Sequence, residues 1–215
     1  MRYFDDPLFQ TISTHTPEPA VLGIGASPRA KGNSDLLLTQ VLKGASQQGS
    51  DTRKIHLRDV AFSPCIGCER CRKDRICTGQ RDGMSLLYPD IIASKGLVLV
   101  SPTHNYNITA WMKSFIDRLY CFYNFTSERP GPWSSQLGNQ GRKAVIVGIC
   151  EQETKEDMGF TMDAMGLPLK ALGYDIVGEL PVLSVFGRGD VKKKEATLAQ
   201  AFELGTTLSR ALAES

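Results

Sequence analysis

A short apolar run, a polar loop and a longer amphipathic stretch follow one another about five times along this chain. The apolar runs are residues 20–25, 52–57, 96–101, 143–149 and 174–182. Each is the length of a strand, and most are apolar on both faces. The amphipathic stretches are 34–45, 85–94, 109–122, 158–173 and 191–213, and they carry helical spacing. In the first, Leu37, Leu38, Val41 and Ala45 share one face, and Ser34 is a candidate N-cap. Pro89 and Pro168 interrupt two of the others and are expected to perturb them. Strands buried on both faces and separated by helices predict an α/β fold, a parallel sheet covered by helices on both faces. Ligands of such sheets bind beyond the carboxyl ends of the strands. The loops after Gly25, Ser101 and Ile149 are therefore the places to look.

The first of these loops, "GASPRAKGNSD" (25–35), joins a strand to a helix. Backbone N–H groups at a helix start point at whatever sits there, and the dipole favours an anion. A dinucleotide fingerprint fails because Pro28 stands where its third glycine belongs. A triphosphatase loop fails because the glycine spacing is too long and Asn33 replaces the lysine. A loop carrying Ser27, Arg29, Asn33 and Ser34 suits a terminal monophosphate instead.

Four of the six cysteines lie in "CIGCERCRKDRIC" (65–77), spaced C-x2-C-x2-C-x5-C. Cys65, Cys68, Cys71 and Cys77 suit a tetrahedral metal or an iron–sulfur cluster. Structural zinc sites usually take two C-x2-C pairs set a dozen or more residues apart. Successive x2 spacing is closer to ferredoxin usage. A loop of reduced thiols with no metal reads identically. Cys121 and Cys150 are expected to be small buried hydrophobes.

The chain has 215 residues, 41% hydrophobic and 22% charged, with 25 Lys and Arg against 23 Asp and Glu. A net charge of +2 gives no argument for nucleic acid or an acidic membrane surface. No apolar run approaches the roughly 20 residues of a membrane helix. The first 19 residues lack the apolar core of a signal peptide, so a cytoplasmic protein is expected. Residues 1–19 read as an arm, 20–215 as one domain with a cysteine loop at 64–80. Residues 124–142 are too long and polar for a plain connector.

The "GASPRAKGNS" loop resembles the phosphate loop of the NADPH-dependent FMN reductase family. "SPTHNYNITAWMKSFIDR" (101–118) resembles that family's second flavin loop and following helix, and "EDMGFTMDAMGLPLKALGY" (156–174) its penultimate helix. A cysteine motif of this kind, after the second strand, resembles the family's iron–sulfur flavoprotein branch. The resemblance implies a flavodoxin-like five-stranded sheet in the order 2-1-3-4-5. It implies FMN, with Pro102, Thr103, His104 and Asn105 facing the flavin ring and no catalytic side chain. The family usually has Tyr where this chain has His104. The resemblance further implies a [4Fe–4S] cluster on the four cysteines and single electrons from a ferredoxin-like donor. Pairs then pass to a small acceptor such as a quinone, oxygen or peroxide. A homodimer or homotetramer is implied as well. The alternatives are an NAD(P)H-dependent FMN or quinone reductase without a cluster, and a zinc-stabilised binding module.

Overall fold

The computed structural model describes residues 20–215, so the expected arm at 1–19 lies outside the described residues. Five parallel strands form one sheet: β1 (Val21–Gly25), β2 (Thr52–His56), β3 (Gly96–Pro102), β6 (Lys143–Ile149) and β7 (Asp175–Val182). Their spatial order is β2-β1-β3-β6-β7. Counted along the parallel strands alone, this is the expected 2-1-3-4-5. Two strands were not foreseen. β4 (Tyr123–Phe125) and β5 (Trp133–Ser135) pair as an antiparallel hairpin within the long polar segment.

The helices are α1 (Asn33–Gln47), the five-residue α2 (Arg70–Asp74), α3 (Met84–Ala93), α4 (Ala110–Arg118), α5 (Thr161–Leu172) and α6 (Glu195–Ala213). Alternate residues of the central strands face opposite ways, and each set builds its own core. Val98, Val100, Val145 and Val147 meet Leu37, Leu38 and Val41 of α1 and Leu208 of α6. Leu97, Leu99, Ala144 and Ile146 meet Ile91 of α3, Phe115 of α4 and Met165 and Leu169 of α5. Each fully buried Leu, Ile or Phe of this kind contributes about 1.5–3 kcal/mol. α1 and α6 touch at Gly44 and Gly205, where an added Cβ would strike the backbone of Phe202 and Val41 respectively.

Helix α1 begins one residue earlier than expected, with Gly32 rather than Ser34 at the N-cap. Pro89 and Pro168 both lie inside helices. Among the described residues no helix is long and apolar enough to cross a membrane.

Candidate flavin cleft and cysteine cavity

The loops at the carboxyl ends of β1, β3, β6 and β7 converge on one cleft of about 150 Å3. Ser27, Arg29, Asn33 and Ser34 line it from the first loop, and Pro102, Thr103 and His104 from the second. Asn105 stands outside the lining, in a left-handed conformation with φ of 49°. The two loops are fixed to the sheet by main-chain bonds. Ala26 N–H donates to Val100 C=O (2.9 Å), and Thr103 N–H to Ile149 C=O (2.7 Å).

The candidate anion cradle is the start of α1. Lys31 N–H is taken by the Asp35 carboxylate (2.7 Å) and Arg29 N–H by Ser27 Oγ (3.2 Å). The N–H groups of Asn33, Ser34 and Asp35 take no acceptor among the described residues. Three convergent donors at the positive end of a 15-residue helix are what a phosphate requires. Two cations flank them, Arg29 and Arg188. Ser27 is 5% and Ser34 2% exposed, and both line the cleft.

The loop after β7 completes the cleft, and the sequence reading did not single it out. Phe186 and Arg188 line the site together with Glu151 from the loop after β6. The Arg29 guanidinium lies over the Phe186 ring at 4.9 Å and donates to Phe186 C=O (3.1 Å). Asn33 uses its side chain to tie this loop down. Its Nδ2 donates to Gly187 C=O (2.9 Å) and its Oδ1 accepts from Val191 N–H (3.1 Å). Asn33 therefore offers the cleft its backbone N–H, while its amide shapes the wall. The position of this loop beyond a carboxyl strand end was the available signal.

A second cavity, of about 420 Å3, is lined by all four loop cysteines, Cys65, Cys68, Cys71 and Cys77. Its inner wall is Ile116 and Asp117 of α4, Tyr120, Tyr123, and Pro168 and Leu172 of α5. Cys65 and Cys68 are exposed; Cys71 and Cys77 are half-buried. Gly79 lies against Cys68, where an added Cβ would collide with the Cys68 sulfur. Burial pushes the Cys71 thiol up to about 11, and the neighbouring Cys77, Cys65 and Cys68 push in the same direction. Among the described residues, no three His, Cys, Asp or Glu side chains stand close enough to hold one metal ion.

The segment 124–142 closes over this region. Arg72 of α2 lies 4.5 Å over the Phe125 ring and donates to Thr126 C=O (2.8 Å). Arg75 donates to Asn124 Oδ1 (3.0 Å), and Arg129 pairs with Glu69. Trp133 packs edge-on against Tyr123 and is half exposed. Cys121 and Cys150 are both buried, as expected.

The NADPH-dependent FMN reductase family profile matches residues 19–146. An iron–sulfur flavoprotein of Archaeoglobus fulgidus is 32% identical over 190 residues, spanning 85% of this chain and 80% of that protein. Among solved structures, an NAD(P)H:quinone oxidoreductase from Methanothermobacter marburgensis superposes with a TM-score of 0.66 at 19% identity. It covers 89% of this chain and 96% of its own. An archaeal flavodoxin superposes with a TM-score of 0.53 at 11% identity, over 90% of this chain and 99% of its own. With its flavodoxin-like fold and its cleft at the carboxyl ends of the strands, the chain belongs to the NADPH-dependent FMN reductase family, as an FMN-dependent oxidoreductase related to the iron–sulfur flavoproteins.

Proposed function

We propose that this oxidoreductase holds two redox centres in one chain, FMN in the cleft and a [4Fe–4S] cluster in the cysteine cavity. The observation that carries the second centre is the convergence of four thiols on one cavity. Burial first, and the neighbouring thiols second, keep Cys71 protonated in the metal-free loop, so a bound cation is what would let all four ionise together. A single zinc needs four sulfurs at about 2.3 Å from one point. A cube gives each thiolate its own iron, so its sulfurs stand further apart, and that suits the wider arrangement here. The arginines of α2 offset part of the charge that four thiolates bring.

The cleft volume is below that of a typical drug-sized pocket and matches a terminal phosphate with the chain behind it. Ser27, Ser34 and the α1 N–H groups would bind the phosphate oxygens. Arg29 and Arg188 would neutralise them. Pro102, Thr103, His104 and Asn105 form the loop that would hold the flavin ring. Thr103 is kept in place by a hydroxyl contact of 3.0 Å with Thr161. FMN, when bound, exchanges one or two electrons, and a cluster exchanges one. This pairing supports the reading that single electrons enter from a ferredoxin-like donor and pairs leave to a quinone, oxygen or peroxide. No side chain is required as a nucleophile. A homodimer or homotetramer fits the same reading.

The second reading is an NAD(P)H-linked quinone reductase without a cluster. The match to the NADPH-dependent FMN reductase family profile supports it. One experiment separates the two. An anaerobic visible spectrum is recorded on fresh protein, with flavin, iron, sulfide and zinc assays. Flavin with about four irons per chain is expected. Flavin with no iron after anaerobic reconstitution overturns the cluster and leaves the reductase. Protein that takes up no FMN overturns both.

A further inference from the structure

Helix α4 is bonded at its start to the strands that carry the flavin loops, and near its end it lines the cysteine cavity. Thr109, its N-cap, accepts from Met112 N–H (3.2 Å) and donates its hydroxyl to Ala26 C=O (3.0 Å). Thr109 N–H donates to Ser101 Oγ (3.2 Å). The start of the helix is thus bonded to the ends of both strands that carry the flavin loops.

The other end is Arg118, whose side chain is 1% exposed. Its Nη1 donates to Ser63 C=O (2.8 Å) and to Asp82 Oδ2 (2.7 Å), and its Nη2 to Asp82 Oδ1 (3.1 Å). Ser63 lies two residues before the first loop cysteine and Asp82 five residues after the last. Asp82 also takes Ser63 N–H (3.0 Å) and Met84 N–H (3.1 Å). One guanidinium and one carboxylate therefore close the base of the entire cysteine loop. Tyr88 Oη donates to Arg118 C=O (3.0 Å), which anchors this end of the helix to α3.

The loop has little else of this kind. Besides the main-chain bond from Gly83 N–H to Ala61 C=O (2.8 Å) at the same base, its other ties run through partly or fully exposed side chains, Arg72, Arg75 and Gln80 among them, and surface contacts hold weakly. A bidentate, buried Arg–carboxylate pair is both stronger and directional.

We infer that Arg118 is a positioning residue for the cysteine loop: with Asp82 it makes α4 a strut that sets where the four thiols sit relative to the flavin loops. Nine residues give the strut a length of about 14 Å. The inference rests on the two-centre reading for its purpose, but its geometry can be tested without any metal.

The test uses the full chain with FMN bound and no iron added. Each cysteine is followed by iodoacetamide labelling and mass spectrometry. Removing one partner of a buried pair is strongly destabilising, so the main variant changes both, Arg118→Met with Asp82→Asn. The asparagine oxygen keeps one of the two acceptor positions that Asp82 offers, to Ser63 N–H through Oδ2 and to Met84 N–H through Oδ1, and gives up the other. The expected result is labelling of Cys71 and Cys77 at least tenfold faster, with Cys150 unchanged and the FMN Kd within threefold. Arg118→Lys, which keeps charge but cannot bridge both groups at once, should fall between. Unchanged labelling of the loop cysteines overturns the inference. So does equal acceleration at Cys150, which would mean general loosening, and so does wild-type behaviour of Arg118→Lys. Iron uptake is assayed separately. Wild-type protein that binds no iron sinks the two-centre reading and leaves the labelling result standing.

Discussion

The flavin cleft and the cysteine cavity are held by different means. The cleft inherits its shape from the sheet. Its loops leave adjacent parallel strands, and main-chain bonds such as Cys150 N–H to Val182 C=O (2.8 Å) carry the strand pairing to its edge. The cysteine cavity has no strand beneath its loop. It turns on left-handed residues, Gly67, Glu69 and Arg75, and is fastened by side chains. Main-chain pairing resists single substitutions, because no side chain carries it. Fastening by side chains does not. Apart from the loop after β7, which Asn33 and Arg29 tie down, the cleft should therefore lose its ligand through direct interference, whereas the cavity should be disturbed by small changes in its wall.

Ser34→Glu puts the first half of that contrast to its hardest test. It sets a carboxylate where the phosphate would bind. Two like charges in contact cost several kcal/mol, so FMN affinity should fall by a factor of about 100 or more. The same carboxylate is favoured at a helix N-terminus, but Ser34 is buried, so the larger charged side chain should also lower the melting temperature by a few degrees. Flavin fluorescence titration measures the first effect and thermal unfolding the second. Cysteine labelling should not change. If it does, the two sites are more closely coupled than α4 alone would make them.

Gly79→Ala tests the second half. The new methyl would meet the Cys68 sulfur, which must rotate away. Iron bound after anaerobic reconstitution should drop to half or less. FMN affinity should stay within twofold, and the melting temperature should move only a few degrees. Normal iron uptake by this variant would show that the loop adapts more freely than its wall suggests.

The same contrast explains what could be read from the sequence. All five parallel strands were legible because burial on both faces leaves apolar runs, and the residues that line the cleft from the first loop were legible because they follow a parallel strand. The four cysteines were legible as a set through their spacing. Arg118 was not. In the sequence it is one basic residue in an amphipathic helix, and its partners lie 36 and 55 positions away. The hairpin 123–135 was hidden for a related reason. Its strands have three residues each, and they are held partly by Arg72 of α2 and by Arg75 just after it, which no local pattern connects to them. The loop at 183–190 was missed although the topology pointed to it, since it too follows a parallel strand.

The smallest effect expected concerns His56, which sits behind the cleft, opposite Gly25 in the β1–β2 register. Its Nδ1 is buried with no hydrogen-bond partner, although Asp35 Oδ1 is 3.4 Å away. That carboxylate is already engaged by Arg58 (2.9 and 2.8 Å) and by Lys31 N–H. Burial pushes the imidazole below its ordinary value. Asp35 and Asp59 pull it back, Arg58 and Lys54 push it further down, and the net direction is downward. The unfolded chain then takes up this proton first, near pH 6.5. Stability is full above that pH and declines as the pH falls towards the lower folded-state value. His56→Gln removes the titration while keeping a polar side chain. Its melting temperature should fall less between pH 7 and pH 5 than that of the wild type. Asp90, raised by burial, acts in the opposite sense, but it is present in both proteins and cancels in the difference. Parallel curves would mean that the folded protein protonates His56 as readily as water does. The attraction of Asp35 would then offset the burial in full, and the imidazole would be mostly neutral at pH 7 in both states.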